Sequence, residues 1–189
     1  MSTLASPLAR GTITPEDLLR MPDAGRYELV DGKLVERNVS IESSRVALQV
    51  GRLLGNVAER THEAFVYAAD LGYQCVPDDP NRVRKPDASV VRKDRLREIQ
   101  GDRGYMPIAA DLVVEVVSSN DLAYEVAEKV EEYLSAGFGV VWVVHPHLRT
   151  ITIYRPGGAS SVLHQNDSIT GDPALPSFRC RVEEFFVAP

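Results

Sequence analysis

"DLVVEVVSSN", Asp111 to Asn120, decides how this chain is read. Leu112, Val113, Val114, Val116 and Val117 are apolar and mostly β-branched, as in a buried strand. Glu115 interrupts them. A lone carboxylate is costly to bury unless it is paired, protonated or bound to a metal. The neighbours of Glu115 on both faces are apolar, so a plain outward-facing glutamate explains it poorly.

Outward from that strand, Asp121 to Ala136 carries Leu122, Val126, Val130, Tyr133 and Leu134 on one side. This spacing predicts a helix, ended by Gly137 to Gly139. "VVWVVH" reads as a central strand with Trp142 in the core, and "RTITIYRP" as a half-exposed strand beside it. Upstream, Ala88 to Val91 predicts a strand. "AFVYAADLGYQCV" predicts a strand, a turn near Asp70 to Gly72 and a second strand. Val46, Val50, Leu53, Leu54 and Val57 mark a long amphipathic helix. "RYELVDGKLVER" is a hairpin about Asp31-Gly32, a pair suited to a type I′ turn. Thr14 caps a first short helix with Pro15 at its first position. Ser118 to Asn120 most simply cap the helix that follows them. Gly101 to Pro107 reads as loop, and "ALPSFRCRVEEFF" as a turn and a last short helix. The order implies an α/β fold with a mixed sheet and helices packed on it, as one domain over 1–189.

The chain has 189 residues and a net charge of −6. This length allows a real core. No apolar stretch is long enough to span a membrane. "MSTLASPLARGTITPEDLL" has no apolar core of a signal peptide, so the cytoplasm is expected. Cys75 and Cys180 are the only cysteines, too few for a disulfide framework or a cysteine zinc site. The acidic balance counts against tight non-specific DNA binding by a monomer. One basic strip remains: Arg82, Arg84, Lys85, Arg92, Lys93, Arg95 and Arg97. Its alternative is a solvated surface loop. There is no Walker-type phosphate loop and no nucleophile elbow. His145 and His147 could bind a transition metal, but no third ligand has suggestive spacing.

Three acids share an apolar context: Glu28 in "YELV", Asp87 after Pro86, and Glu115. Converging carboxylates repel at low dielectric and imply a shared hard cation, Mg²⁺ or Mn²⁺. The alternatives are an outward-facing Glu28 and a turn or cap role for Asp87. Lys129 lies on the helix after the Glu115 strand and shares a face with Tyr133 four residues on. Its stem could reach the strand's end, or it could stay exposed and pair with Glu125 or Glu132.

"RYELVDGKLVE", "RKPDASVV", "DLVVEVVSSN", "EKVEEYLSAGFGVVWVVHPHLRTITIY" and "LPSFRCRVEEFF", in this order, resemble the Uma-type restriction-endonuclease-like family of the PD-(D/E)XK nuclease superfamily. The resemblance covers nearly the whole chain. It implies a mixed sheet flanked by helices with a metal site at one edge. It implies Mg²⁺-dependent hydrolysis of DNA, with Asp87 and Glu115 as metal ligands and Glu28 as an auxiliary acid. The superfamily's usual lysine position holds Val117, and the resemblance points to Lys129 instead. The family often carries a histidine near Ser44, and this chain has none there. Two further readings stand beside the endonuclease: a nuclease-fold interaction module without chemistry, and a hydrolase of small phosphate esters. The resemblance also implies a homodimer. "TITIY" and "VVWVV" are β-prone segments that would invite pairing or cover if they formed a sheet edge, and Phe178, Phe185, Phe186, Val182 and Val187 in a short tail agree with either a second chain or closure of the chain's own core.

Overall fold

The computed structural model describes residues 12–99, 101 and 103–186. Val187 and the start of the chain, up to residue 11, lie outside them. Three helices, α1 (Pro15–Arg20), α2 (Ile41–Thr61) and α3 (Ala123–Ser135), accompany ten strands. β1 (Tyr27–Val30) and β2 (Lys33–Glu36) form the expected hairpin, with Asp31 and Gly32 both at positive φ as a type I′ turn demands. Thr14 and Asp17 cap α1 reciprocally.

The main sheet has six strands in the order β3 (Ala64–Ala68), β4 (Ala88–Arg92), β5 (Leu112–Val116), β6 (Val140–His145), β7 (Thr150–Tyr154), β8 (Ser160–Leu163). β5 and β6 are parallel and every other pair is antiparallel. A parallel pair needs a crossover, and α3 supplies it. Gly139 sets up this step. A Cβ there would lie 2.4 Å from the Asp111 carbonyl oxygen, so only glycine lets the chain enter β6 so close to the start of β5.

Strand alternation sorts the core into two layers. Leu112, Val114 and Val116 of β5, with Trp142 of β6, pack toward Val46, Val50 and Leu54 of α2. Val113, Val141 and Val143 pack on the other face toward Val130 and Tyr133 of α3. Helices on both faces explain why β5, apart from Glu115, and β6 up to Val144 are apolar. Each large side chain fully buried here contributes about 1.5–3 kcal/mol.

Several expectations are corrected. The second strand after Asp70 to Gly72 does not form. Tyr73 makes only isolated bridges to Arg84 and Met106, and Tyr73 itself is buried as a core residue. The tail is not a turn and a helix alone. β10 (Leu175–Arg181) pairs with β9 (Ser168–Gly171), and only Val182–Phe186 is helical, as a 3₁₀ turn. Phe178, Phe185 and Phe186 join the α2 layer, so the tail closes its own core. "VVWVVH" is interior and "RTITIYRP" pairs beside it, as expected; β3 and β8 form the sheet edges. Ser118 to Asn120 do not cap α3. Leu122 precedes that helix without a side-chain cap, while the Ser118 N–H donates to Asp121 Oδ2 in the turn before it. The basic strip divides. Arg84 and Lys85 are buried, whereas Arg92 and Lys93 are exposed, so 82–85 is not a solvated loop. Among the described residues no helix is long and apolar enough to cross a membrane.

Candidate active site

Period-two alternation puts Glu115 on the same face of β5 as Val113, toward α3. There its Oε1 accepts a hydrogen bond from the Tyr133 hydroxyl at 2.6 Å, and its Oε2 lies 3.4 Å from Lys129 Nζ. Lys129 and Tyr133 are one helical turn apart, so α3 presents both at once. The same ammonium lies 3.2 Å from Glu28 Oε2. Glu28, at 1% exposure, also accepts the Lys85 N–H at 2.8 Å and an Arg84 guanidinium N–H at 3.0 Å. Arg84 forks onto Glu132 of α3 at 2.8 and 2.6 Å, which ties the hairpin, the approach to β4 and α3 together.

Asp87 stands just before β4. Its N–H donates to the Val114 carbonyl at 2.9 Å, and its Oδ2 accepts the Val116 N–H at 2.7 Å. Its carboxylate therefore sits against the end of β5, beside Glu115. Its Oδ1 accepts from Arg37 at 2.9 Å, and Arg37 also donates to the Ala69 carbonyl.

The electrostatics follow from burial and like charge. Burial raises the Glu115 carboxyl to about 7; Lys129 pulls it down, while Asp87 and Glu28 add to the rise. Asp87 is raised too, by burial, against the Val116 N–H and Arg37. Glu28 goes the other way. Burial opposes its charge, but Lys129 and Arg84 outweigh burial and hold it below the ordinary glutamate value. Lys129 loses hydration on burial, yet Glu115 and Glu28 hold it above the ordinary lysine value. At neutral pH the ammonium is charged, and Glu115 holds its proton to a higher pH than an ordinary glutamate.

A cavity of about 190 Å³ opens over Glu115, Lys129, Glu28, Arg84 and Arg37. Asp87 does not line it; Arg37, which does, is hydrogen-bonded to Asp87. Among the described residues no group of three or more His, Cys, Asp or Glu is arranged to hold a metal. The donor chemistry still fits a hard cation. Mg²⁺ is bound by one or two carboxylates and completes its shell with water and substrate phosphate. Asp87 and Glu115 are oxygen donors at one strand end, both raised by burial and crowding of charge, and a cation would relieve both. Glu28 has both oxygens engaged by Arg84, Lys85 and Lys129; Tyr133 and Lys129 engage both oxygens of Glu115, and Arg37 and the Val116 N–H both of Asp87.

The structure thus brings Glu115, Lys129 and Glu28 into direct contact and sets Asp87 alongside. Glu28 does not face outward, and Lys129 pairs with neither Glu125 nor Glu132. Sequence reasoning misses four members of the cluster as site residues: Arg37, Arg84, Glu132 and Tyr133. The i, i+3, i+4 spacing of Lys129, Glu132 and Tyr133 is the available signal for two of them.

The architecture is that of a restriction-endonuclease-like α/β fold, a mixed sheet flanked by helices with acids gathered at one strand end. The family model Uma2, described as "Putative restriction endonuclease", matches residues 15–183, and the chain belongs to this family. A solved structure described as "a putative nuclease belonging to DUF820" from Anabaena variabilis has the same fold, with a TM-score of 0.77 and 18% identity, over 92% of this chain and 97% of that chain. A search of curated proteins finds no match.

Proposed function

We propose that this chain is a Mg²⁺- or Mn²⁺-dependent DNA endonuclease that hydrolyses phosphodiester bonds with a metal-activated water, as one nuclease domain acting in a homodimer. The observation that carries this reading is the Lys129 ammonium between Glu115 and Glu28 at the cavity floor, with the Asp87 carboxylate fixed on the next residue of β5. Asp87 and Glu115 would hold the cation. A cation bound there supplies Lewis acidity and a water of lowered pKa. Lys129 orients the attacking water and offsets the charge that develops on the phosphorus oxygens. Glu28, clamped by Arg84, keeps the ammonium charged and aimed. Tyr133 fixes the rotamer of Glu115. Arg37 leaves Asp87 and takes a phosphate oxygen. The chemistry requires no covalent intermediate.

The test is cleavage of supercoiled plasmid and of single-stranded circular DNA in Mg²⁺, Mn²⁺ or EDTA. The expected result is metal-dependent cleavage that Glu115→Gln and Lys129→Ala both lose. The competing reading, an interaction module without chemistry, is favoured by the cations already engaging both acids and by the absence of a histidine near Ser44. No cleavage in either metal, with no metal uptake by calorimetry, would establish the module. Sedimentation equilibrium checks the dimer. A monomer at tens of micromolar retires it.

A further inference from the structure

A second cavity lies against the first, and the mechanism above makes no use of it. It measures about 510 Å³ and opens between the first turn of α2, the exit of β5 and the β6–β7 turn. Val117 lines both cavities. Ser118 is three residues beyond Glu115, about 10 Å of extended chain. A group in the second cavity is therefore within reach of a strand whose phosphate sits over Glu115.

The lining states what that group is. Ser118, Ser119, His145 and His147 are its polar lining residues besides Ser40 and Glu42, and the Ser118 hydroxyl already accepts the Asn120 N–H. No Arg or Lys lines the cavity, and its one carboxylate, Glu42, repels anions, so it is not a phosphate site. Burial lowers the His145 pKa, which keeps that ring neutral at pH 7. Neither imidazole makes a hydrogen bond or ion pair with any described residue. Ile41 is 94% exposed and Leu148 66%, and they flank the opening with apolar surface. The matching ligand is flat, uncharged, apolar on its faces and polar at its edge. A nucleobase meets that description. Histidine rings stack on unpaired bases, apolar side chains pack against an extruded base, and serine hydroxyls hydrogen-bond base edges. A base inside a duplex offers neither, since its faces are stacked and its pairing edge is taken.

We propose that this cavity receives an unpaired nucleobase next to the scissile phosphate, so that the substrate is single-stranded or locally unpaired DNA. This rests on the nuclease reading and narrows its substrate.

The test reads binding apart from cleavage. Metal-free protein in EDTA is titrated into a single-stranded oligonucleotide carrying 2-aminopurine, and into the same sequence as a blunt duplex. The expected result is about tenfold tighter binding of the single strand and a change in 2-aminopurine emission. The variant His147→Ala/Leu148→Ala changes two exposed turn residues, and Ile41→Ser changes the opposite wall. Each is expected to lose the single-strand preference with the thermal midpoint unchanged. Equal affinity for both forms, silent emission, or variants that keep the preference would overturn the proposal. Duplex cleavage in Mg²⁺ that both variants retain in full also overturns it and leaves the nuclease reading standing. Base-sensitive binding without cleavage in either metal supports the cavity and removes the nuclease reading.

Discussion

Replacing Glu115 with glutamine removes one charge from the site and keeps its shape. The amide oxygen still accepts from Tyr133, and Lys129 keeps Glu28. In the folded protein the Glu115 carboxyl titrates at about 7, against 4.5 in the unfolded chain. Between those values the folded state holds a proton that the unfolded state has released. Stability therefore falls as pH rises through this window, by about 1.4 kcal/mol for each tenfold difference in proton affinity between the two states. The full difference amounts to about 3 kcal/mol, or roughly 6–12 °C in thermal midpoint for a chain of this size. Glu115→Gln should match wild type near pH 4.5 and exceed it by about that margin at pH 8. Asp87 moves in the same direction and Glu28 in the opposite one; both are present in the two proteins, so the gap reports the Glu115 charge together with its coupling to them. The assay is thermal unfolding in EDTA from pH 4.5 to 8. Parallel curves with no gap opening above pH 5 would refute the electrostatic account of the site. A second arm adds 10 mM Mg²⁺ (on the order of the millimolar range that weak carboxylate sites need) at pH 8. It should raise the wild-type midpoint and leave that of the variant where it is.

Lys129→Ala should lower cleavage about 100- to 1,000-fold, the scale for losing one donor aimed at developing charge; near wild-type turnover on plasmid would remove Lys129 from the mechanism. Arg84→Met leaves Glu132 to Arg82, and Glu28 to Lys129 and the Lys85 N–H, so urea unfolding should show a loss of about 3 kcal/mol, partly recovered when Glu28→Gln is added. An unchanged midpoint for the single variant would mean that the Arg84 clamp contributes no stability. Gly139→Ala drives a Cβ to 2.4 Å from the Asp111 oxygen, and the backbone shift should cost about 1–3 kcal/mol by the same measurement.

The elements that can be read from sequence are those with strong local signals. Val46, Val50 and Leu54 repeat at helical spacing, Asp31-Gly32 takes a turn few other pairs allow, and β5 and β6 are apolar at nearly every position because both faces are covered. Glu115 stands out for the same reason, since one charge among valines has a cost that local chemistry makes visible. For Glu28 and Lys129 the local signals, an apolar strand context and a place on the helix after β5, leave an exposed side chain as an alternative, and the family pattern points to the site.

The rest depends on contacts between distant segments. β9 and β10 carry weak patterns, with Pro176 and Ser177 inside the latter, and they are strands because they pair with each other against the α2 layer. Tyr73 loses its expected ladder to the core. Arg84 resembles any residue of a basic loop until Glu28 from the hairpin and Glu132 from α3 close on it, 56 and 48 residues away in sequence. The sequence by itself determined the α/β class, the central strand and its acid, through spacing and the cost of burying charge. Tertiary structure alone decided that Lys129 lies between two glutamates, that Arg37 holds Asp87, and that a cavity without lysine or arginine opens beside them. Each of those facts is a meeting of side chains that no local pattern records.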